Sequence, residues 1–422
     1  MTTLVLGGGI SGLLAAWHLQ RRGEEVEVWE AESTPGGWVQ TLPWEGGHLE
    51  KGPQGVLVAP GSETERLFRE IGLETRSPGH GARWVGKGGS LIPVPAKPPQ
   101  ILTSKLMPLS ARLRLLLEPF VPVRAAEPEE GLSAFIARRL GRGAAEHLLP
   151  AMVAGILAAP AETLSVDALP KLRQWEAKGS LFKGLRSEPR SELRVPVGGM
   201  GMLPRTLAQS LPVRCGLRAE RLERSGAGWR VSGNGETREV DRILLACPAF
   251  EASRLLGPFA PRSAEALAAM PYTSVRLFHS RHAPLAPLKD GFGFLVHPPE
   301  GRGFLGTLVP SWIDPDSAPA GLMQLRSFIG GAFPMDAALE DWAGVSAVLR
   351  GWAPGLAGAS AVRELRADRA IPRPELGHRA RLAQALGGLP EGLDWISNAR
   401  FGPGVRDVIE GLATWAGSAP GA

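Results

Sequence analysis

Apolar and polar positions along the chain change period several times, and each change predicts an element. Thr2-Thr3-Leu4-Val5-Leu6 is a short apolar run of the kind that forms a strand buried on both faces. It stops at Gly7-Gly8-Gly9-Ile10-Ser11-Gly12, and Leu13-Leu14-Ala15-Ala16-Trp17-His18-Leu19 continues as a helix. A second strand, Glu25-Val26-Glu27-Val28-Trp29, ends at Glu30. Residues 47–55 read as a strand running into another glycine-bearing loop. Residues 62–71 read as a helix with Leu67, Phe68 and Ile71 on one face, and 83–95 as a hairpin followed by a proline-rich linker. From 101 to 177 the helical period takes over. Residues 131–140 carry the stripe Leu132, Phe135, Ile136 and Leu140, and 147–157 form a second, more apolar helix. Strand-and-turn patterning returns from Leu193, interrupted by a helix at 203–210. A hairpin is expected within 229–247, with 242–248 as a buried parallel strand, then several β-runs from 275 to 329. A short strand at 393–398 precedes a glycine loop that opens the last helix.

Composition narrows the class without naming it. The 422 residues are 44% hydrophobic and 21% charged, enough for two or three domains around a sizeable core. The net charge of +5 is mild for this length, and no basic run is interleaved with aromatics, which argues against nucleic acid as a partner. Cys215 and Cys247 lack metal or redox spacing and suit a reducing compartment. With strand patterning from residue 2 and no apolar stretch near the ~20 residues that span a bilayer, the expected location is cytoplasmic or the inner face of the membrane.

The chemistry starts at the first turn. In a strand–Gly-x-Gly-x-x-Gly–helix unit, Gly7 permits the tight turn, Gly9 lets the backbone approach a pyrophosphate, and Gly12 lets helix and strand pack closely. The anion then lies at the positive end of the helix. Glu30, roughly 20 residues further on, stands where an acid can hold ribose hydroxyls. No Ser-His-Asp set, metal cluster or paired carboxylate follows, and His48, His147, His279 and His378 read as structural or surface residues. The leucines of 101–123, fringed by Lys105, Arg112, Arg114 and Arg124, suit a helix in a membrane interface and equally an ordinary helical subdomain.

Several blocks resemble a known family. They are LGGGISGLLAAWHL, EAESTPGGWVQT, HLEKGPQG, FIARRLG, MVAGILAAPAETLS, VPVGGMGMLP, GFGFLVHP, FLGTLVPS, SFIGG, AIPRPELGH and GPGVRDVIEG. Together they resemble, nearly end to end, the protoporphyrinogen and coproporphyrinogen III oxidase family of the FAD-dependent amine-oxidase superfamily. The resemblance implies a mixed α/β fold with a Rossmann-type FAD-binding domain from 1–85, 190–255 and 375–422. A helical, membrane-associated domain at 86–189 and a β-sheet substrate domain at 256–374 complete it. The cofactor positions it implies are Gly7, Gly8, Gly9, Ile10, Ser11, Gly12, Glu30, Ala31, Trp38, Gly52, Pro53, Gln54, Gly55, Ala219, Pro403, Gly404 and Val405. The double glycine Gly36-Gly37 would make a second backbone approach on the flavin side. No cysteine follows Cys247, so the FAD is expected to be non-covalent. Arg83, Gly155, Leu295, Leu308 and Phe328 fall at the family's substrate positions, Arg83 as partner of a carboxylate and Leu295, Leu308 and Phe328 as an apolar clamp, with no dedicated catalytic acid or base.

The implied reaction is six-electron oxidation of protoporphyrinogen IX by dioxygen, giving hydrogen peroxide, in heme synthesis. Peripheral membrane contact and hand-off to ferrochelatase go with it. Coproporphyrinogen oxidation, another superfamily activity and a catalytically silent FAD-binding relative remain alternatives. The chain departs from the family at Gln54, at Leu157 to Pro160, and at Ser397-Asn398, where glycine is usual.

Overall fold

Five parallel strands carry the first glycine turn. In spatial order they are Val213–Cys215, Glu25–Glu30, Thr2–Leu6, Arg242–Leu245 and Leu393–Trp395. The computed structural model describes residues 1–95, 98–101 and 103–418, the side chains of Pro98 and Pro99 aside, so part of the expected proline-rich linker lies outside the described residues. Successive side chains of the sheet face opposite cores. Val5, Val28 and Leu244 pack under the helices Ile10–Arg21 and Val405–Ser418. Leu4, Leu6, Ile243 and Leu245 pack with the helix Ala249–Leu256 and with Trp229 and Val231 of the antiparallel strand Gly228–Gly233. Cover on both faces is why Leu4 to Leu6 and Ile243 to Leu245 read as unbroken apolar runs.

A second sheet has seven strands in the order Ala361–Pro372, Tyr272–His282, Met323–Gly330, Phe304–Leu308, Gly291–Val296, Ala82–Lys87 and Ser90–Pro93. Its pairings are antiparallel except for Gly291–Val296 against Ala82–Lys87. Phe278, Phe294, Phe304, Leu325 and Ile329 bury one face against the helix Trp342–Trp352. The opposite face looks onto the parallel-sheet body, and the cavity lies between them. The expected boundary at residue 85 falls inside strand Ala82–Lys87, which belongs to this sheet. Helix Pro261–Ala268, beyond the expected boundary at 255, packs in the core of the parallel sheet.

Beside the seven-stranded sheet stand the helices Leu132–Leu140, Arg142–His147 and Leu149–Leu157, around a core that includes Leu132, Phe135, Val153 and Leu157. The single helix expected at 147–157 is a correction: the helix begins at Leu149, with Pro150 in its first turn, and Arg142–His147 is a separate one. The leucine- and arginine-bearing segment is less helical than its pattern implies. Within 103–123 only Leu109–Leu115 is α-helical, followed by a 3-10 turn at Glu118–Phe120. The paired arginines of FIARRLG turn inward. Arg139 and Glu118, both fully buried, form an ion pair. Glu118 also accepts from Ser180 Oγ at 2.5 Å and the Leu181 N–H at 2.7 Å. Arg138 bridges Glu130 and Glu176, each at 2.8 Å. These arginines therefore staple the helical region together.

Candidate functional site: a cofactor cradle opening on an apolar slot

The glycine turn is shaped by contacts that only a missing side chain allows. Gly7 has φ +119°, and a Cβ there would lie 2.6 Å from the Ala246 carbonyl oxygen. A Cβ on Gly12 would lie 1.9 Å from the Gly7 carbonyl oxygen, so Gly12 is the helix–strand contact. Gly9 differs: its Cβ would meet nothing within 4 Å, because the turn there faces open cavity. Gly9 also caps helix Ile10–Arg21 with no side-chain hydrogen bond and no acid in the first turn. The first-turn N–H groups are thus left for an anion.

Glu30 is nearly buried and ties the turn to the second strand. Its Oε2 accepts from the Gly8 N–H at 2.6 Å and its Oε1 from the Glu32 N–H at 2.8 Å. The double glycine docks on the same turn: the Gly36 N–H donates to the Gly8 carbonyl at 2.8 Å, and a Cβ on Gly37 would lie 3.4 Å from Gly9 Cα. Gly52 is equally tight, its Cβ position 2.2 Å from the Trp38 carbonyl oxygen.

A continuous cavity of about 900 Å³ runs from this cradle to the seven-stranded sheet. It brings together Gly7, Gly9, Ile10, Ser11, Glu30, Ala31, Trp38, Gly52, Pro53, Gln54, Gly55, Ala219, Pro403, Gly404 and Val405. Gly8 and Gly12 stand behind the lining, in the contacts just described. Ser397 and Asn398 line it as well, Ser397 capping the helix Asn398–Phe401 by accepting from the Ala399 N–H at 3.3 Å.

At the far end the wall is apolar. Leu295 and Phe328 lie on either side of Gly306 in adjacent strands, so no side chain stands between them, and Leu308 lies two residues further on. Gly155, on helix Leu149–Leu157, closes the slot: a Cβ there would lie 2.5 Å from Leu295 Cδ2. The structure therefore brings Gly155, Leu295, Leu308 and Phe328 together. It does not bring Arg83 into the lining. Arg83 is exposed, its guanidinium 4.8 Å from the centre of the Phe292 ring. It precedes by two residues Val85, the register partner of Leu295, which places it about 7 Å along the strand on the same face.

Sequence reasoning missed several lining residues, among them Lys51, Phe250, Leu277, Arg326 and Ile371. Arg326 is 2% exposed, and its Nη1 donates to the Gly52 carbonyl at 2.6 Å. The one available signal was two polar residues, Gln324 and Arg326, alternating within a strand otherwise apolar enough to be core. Burial lowers Arg326 to about 10, which leaves it cationic at neutral pH. Burial pushes the Cys247 thiol and the Tyr272 hydroxyl each up to about 12, so neither supplies an anion. Behind the cradle, burial raises Glu50 to about 7. Among the described residues no group of three or more His, Cys, Asp or Glu could hold a metal ion.

A parallel sheet with an anion-ready glycine turn, an acid at the end of the second strand and an apolar slot on the same cavity is the arrangement of an oxidoreductase built around a dinucleotide cofactor. Comparison with known proteins makes this specific. The chain belongs to the flavin-containing amine oxidoreductase family, whose model matches residues 10–352. It is 31% identical over 384 residues to human protoporphyrinogen oxidase, covering 79% of this chain and 78% of that protein. It is 28% identical over 330 residues to coproporphyrinogen III oxidase of Propionibacterium freudenreichii, covering 65% and 62%. A crystal structure of an Exiguobacterium sp. 255-15 protein superposes with a TM-score of 0.83 at 22% identity, over 99% of this chain and 98% of that one, which speaks for the fold. The protein is an FAD-dependent oxidoreductase. The open side of Gly9 and the helix N-terminus without a side-chain cap suit a diphosphate, and the position of Glu30 at the end of the second strand suits a ribose. The lining at Trp38, Gly52 to Gly55 and Pro403 to Val405 fits the remainder of the extended cofactor.

Proposed function

We propose that the chain oxidises a porphyrinogen, with protoporphyrinogen IX as the preferred substrate. The observation that carries this reading is the slot: Leu295, Leu308 and Phe328 form an apolar wall, closed at Leu295 by Gly155, on the same cavity as the cofactor cradle. A puckered tetrapyrrole buries its carbon faces against such a wall, at about 25 cal/mol for each Å² removed from water. The similarity to proteins named protoporphyrinogen oxidase, at up to 31% identity, supports the same choice.

Bound FAD supplies the hydride acceptor. The chain's own side chains contribute position and exclusion of water. Leu308 and Phe328 hold the macrocycle, Gly155 lets its helix pack against Leu295 and so sets the end of the slot, and Arg83 at the rim meets a propionate that projects from the slot. In each of three rounds the porphyrinogen loses a hydride from a saturated bridging carbon and a proton to solvent. One dioxygen takes up the electron pair with two protons as hydrogen peroxide. Three rounds remove the six hydrogens that separate porphyrinogen from porphyrin. No buried acid or base is needed, because tautomerisation of the ring moves the remaining double bonds.

The helical region supplies a membrane face in this reading. Leu109, Leu113, Leu116, Leu117 and Phe120 are between 52% and 81% exposed, with Arg112 and Arg114 among them. No helix among the described residues is long and apolar enough to cross a membrane, so the contact is peripheral. Anaerobic mixing with protoporphyrinogen and with coproporphyrinogen tests the proposal. Bleaching of the flavin band by the first, at a specificity constant above that for the second, is the expected result. Bleaching by neither removes the proposal, and a larger constant for coproporphyrinogen reverses the choice.

A further inference from the structure

Arg326 is buried between the two halves of the cavity. It projects from strand Met323–Gly330 on the face that carries Phe328, and its register partner on the next strand is Leu308. One edge of its guanidinium is held by the Gly52 carbonyl, a cradle residue, at 2.6 Å, while its Nε has no hydrogen-bond partner. Its Cζ lies 4.9 Å from the centre of the Phe328 ring. It makes no ion pair within 4.0 Å among the described residues. Glu50 is the acid whose field reaches it, without contact, and His279, its register partner on the other side, is kept neutral by burial and by Arg326 and Arg363. A desolvated cation with no counter-charge is costly, and a ligand carrying negative charge relieves that cost.

We propose that Arg326 presents its free guanidinium edge to the isoalloxazine ring of FAD and stabilises the negative charge that the ring gains on two-electron reduction. The polar contact with Gly52 assigns it to the cofactor side of the junction. The ADP end of an extended FAD is spoken for by Gly9 and Glu30, and the ring then lies toward Gly52. The substrate side of the junction, by contrast, is apolar. A fixed charge beside the ring is one of the levers by which a protein sets flavin electronics. The arginine thus tunes the driving force of hydride uptake while it holds the Gly52 loop in place. This rests on FAD binding and is independent of which substrate fills the slot.

The test is a reductive titration against a reference dye, at saturating FAD and without any porphyrinogen, so its outcome is separable from that of the substrate proposal. Arg326→Gln is expected to shift the reduction equilibrium ten- to a hundredfold toward the oxidised form, about 30–60 mV for two electrons. Arg326→Lys, which keeps the charge, is expected to recover at least half of the shift. If the glutamine variant fails to fold, Arg326→Met is compared with Arg326→Lys in the same way. An equilibrium changed less than twofold in a folded, FAD-loaded neutral variant overturns the proposal. So does an equal shift in the lysine and neutral variants.

Discussion

The two ends of the cavity are built by different means. At the cradle the surface is backbone: Gly7, Gly12 and Gly52 each stand where a Cβ would strike a carbonyl, and Gly9 where it would project into the cavity. At the slot, side chains from three strands converge beside a helix, and the surface is made of leucine and phenylalanine. A backbone site must be written as glycine at fixed spacing near one strand end. An apolar wall can be assembled from distant segments by residues that look like core. The first kind of site is specified locally, the second only by the tertiary fold.

The strongest test of this contrast uses two glycines three residues apart. Gly12→Ala drives a Cβ to 1.9 Å from the Gly7 carbonyl oxygen, so it should cost about 1–3 kcal/mol of stability as overpacking and lose FAD as well. Gly9→Ala meets nothing within 4 Å. Apoprotein stability should therefore stay within about 0.5 kcal/mol of the parent, while FAD affinity falls at least about tenfold, roughly 1.4 kcal/mol. Thermal melting of the apoprotein and flavin titration read the two separately. Equal losses of stability in both variants would dissolve the distinction between packing and cofactor glycines.

The cradle also has a titratable device behind it. Glu50 is 1% exposed, accepts from Thr41 Oγ1 at 3.0 Å and from the Met200 N–H at 2.9 Å, and is raised by burial from 4.5 to about 7. A carboxyl whose folded pKa lies above its unfolded value favours folding most when both states are protonated. Stability should therefore fall as pH rises from about 4.5 to about 7 and then level off. The amplitude is on the order of 3 kcal/mol. Glu50→Gln keeps an acceptor and loses the charge, so the variant should gain on the parent between pH 5 and pH 8. A Tm difference that does not change over that interval would show that the carboxylate is not buried as an ion.

What could be read in advance follows the same division. The parallel sheet was legible because strands covered on both faces, such as Leu4 to Leu6 and Ile243 to Leu245, leave continuous apolar runs. The cradle was legible because glycine spacing and Glu30 carry their own geometry. Leu295, Leu308 and Phe328 carry none, and only the resemblance to a family singled them out. Arg326 was missed because one charged residue in a strand ordinarily faces solvent. Only the seven-stranded register shows that it faces Gly52. The helix expected at 147–157 starts instead at Leu149, because apolar periodicity does not register the interruption at Leu148, just ahead of Pro150.

Loss of slot side chains sharpens the other half of the comparison. Leu308→Ala and Phe328→Ala each remove an apolar contact worth roughly 1.5–3 kcal/mol if fully buried by substrate. The specificity constant for the porphyrinogen should drop about ten- to a hundredfold, with the flavin spectrum and FAD affinity unchanged. Gly155→Ala places a methyl group 2.5 Å from Leu295 Cδ2. It narrows the same slot and should act in the same direction. Release of FAD by any of these three would mean that the two halves are not independent.

The smallest effect belongs to Arg83, which stands at the rim and not in the wall. Its guanidinium is exposed and rests over Phe292 at 4.8 Å, so its attraction for a propionate is screened by water and worth at most about 1 kcal/mol. Arg83→Ala should therefore raise KM up to about fivefold and leave kcat and the flavin spectrum as they are. Converting the substrate's carboxylates to methyl esters should cost the parent the same factor and cost Arg83→Ala nothing further, because the variant has already lost the charge that distinguishes acid from ester. If ester and acid differ as much in the variant as in the parent, the carboxylate is read elsewhere. Arg83 is then an ordinary exposed strand residue, and the slot owes its selectivity to the apolar wall alone.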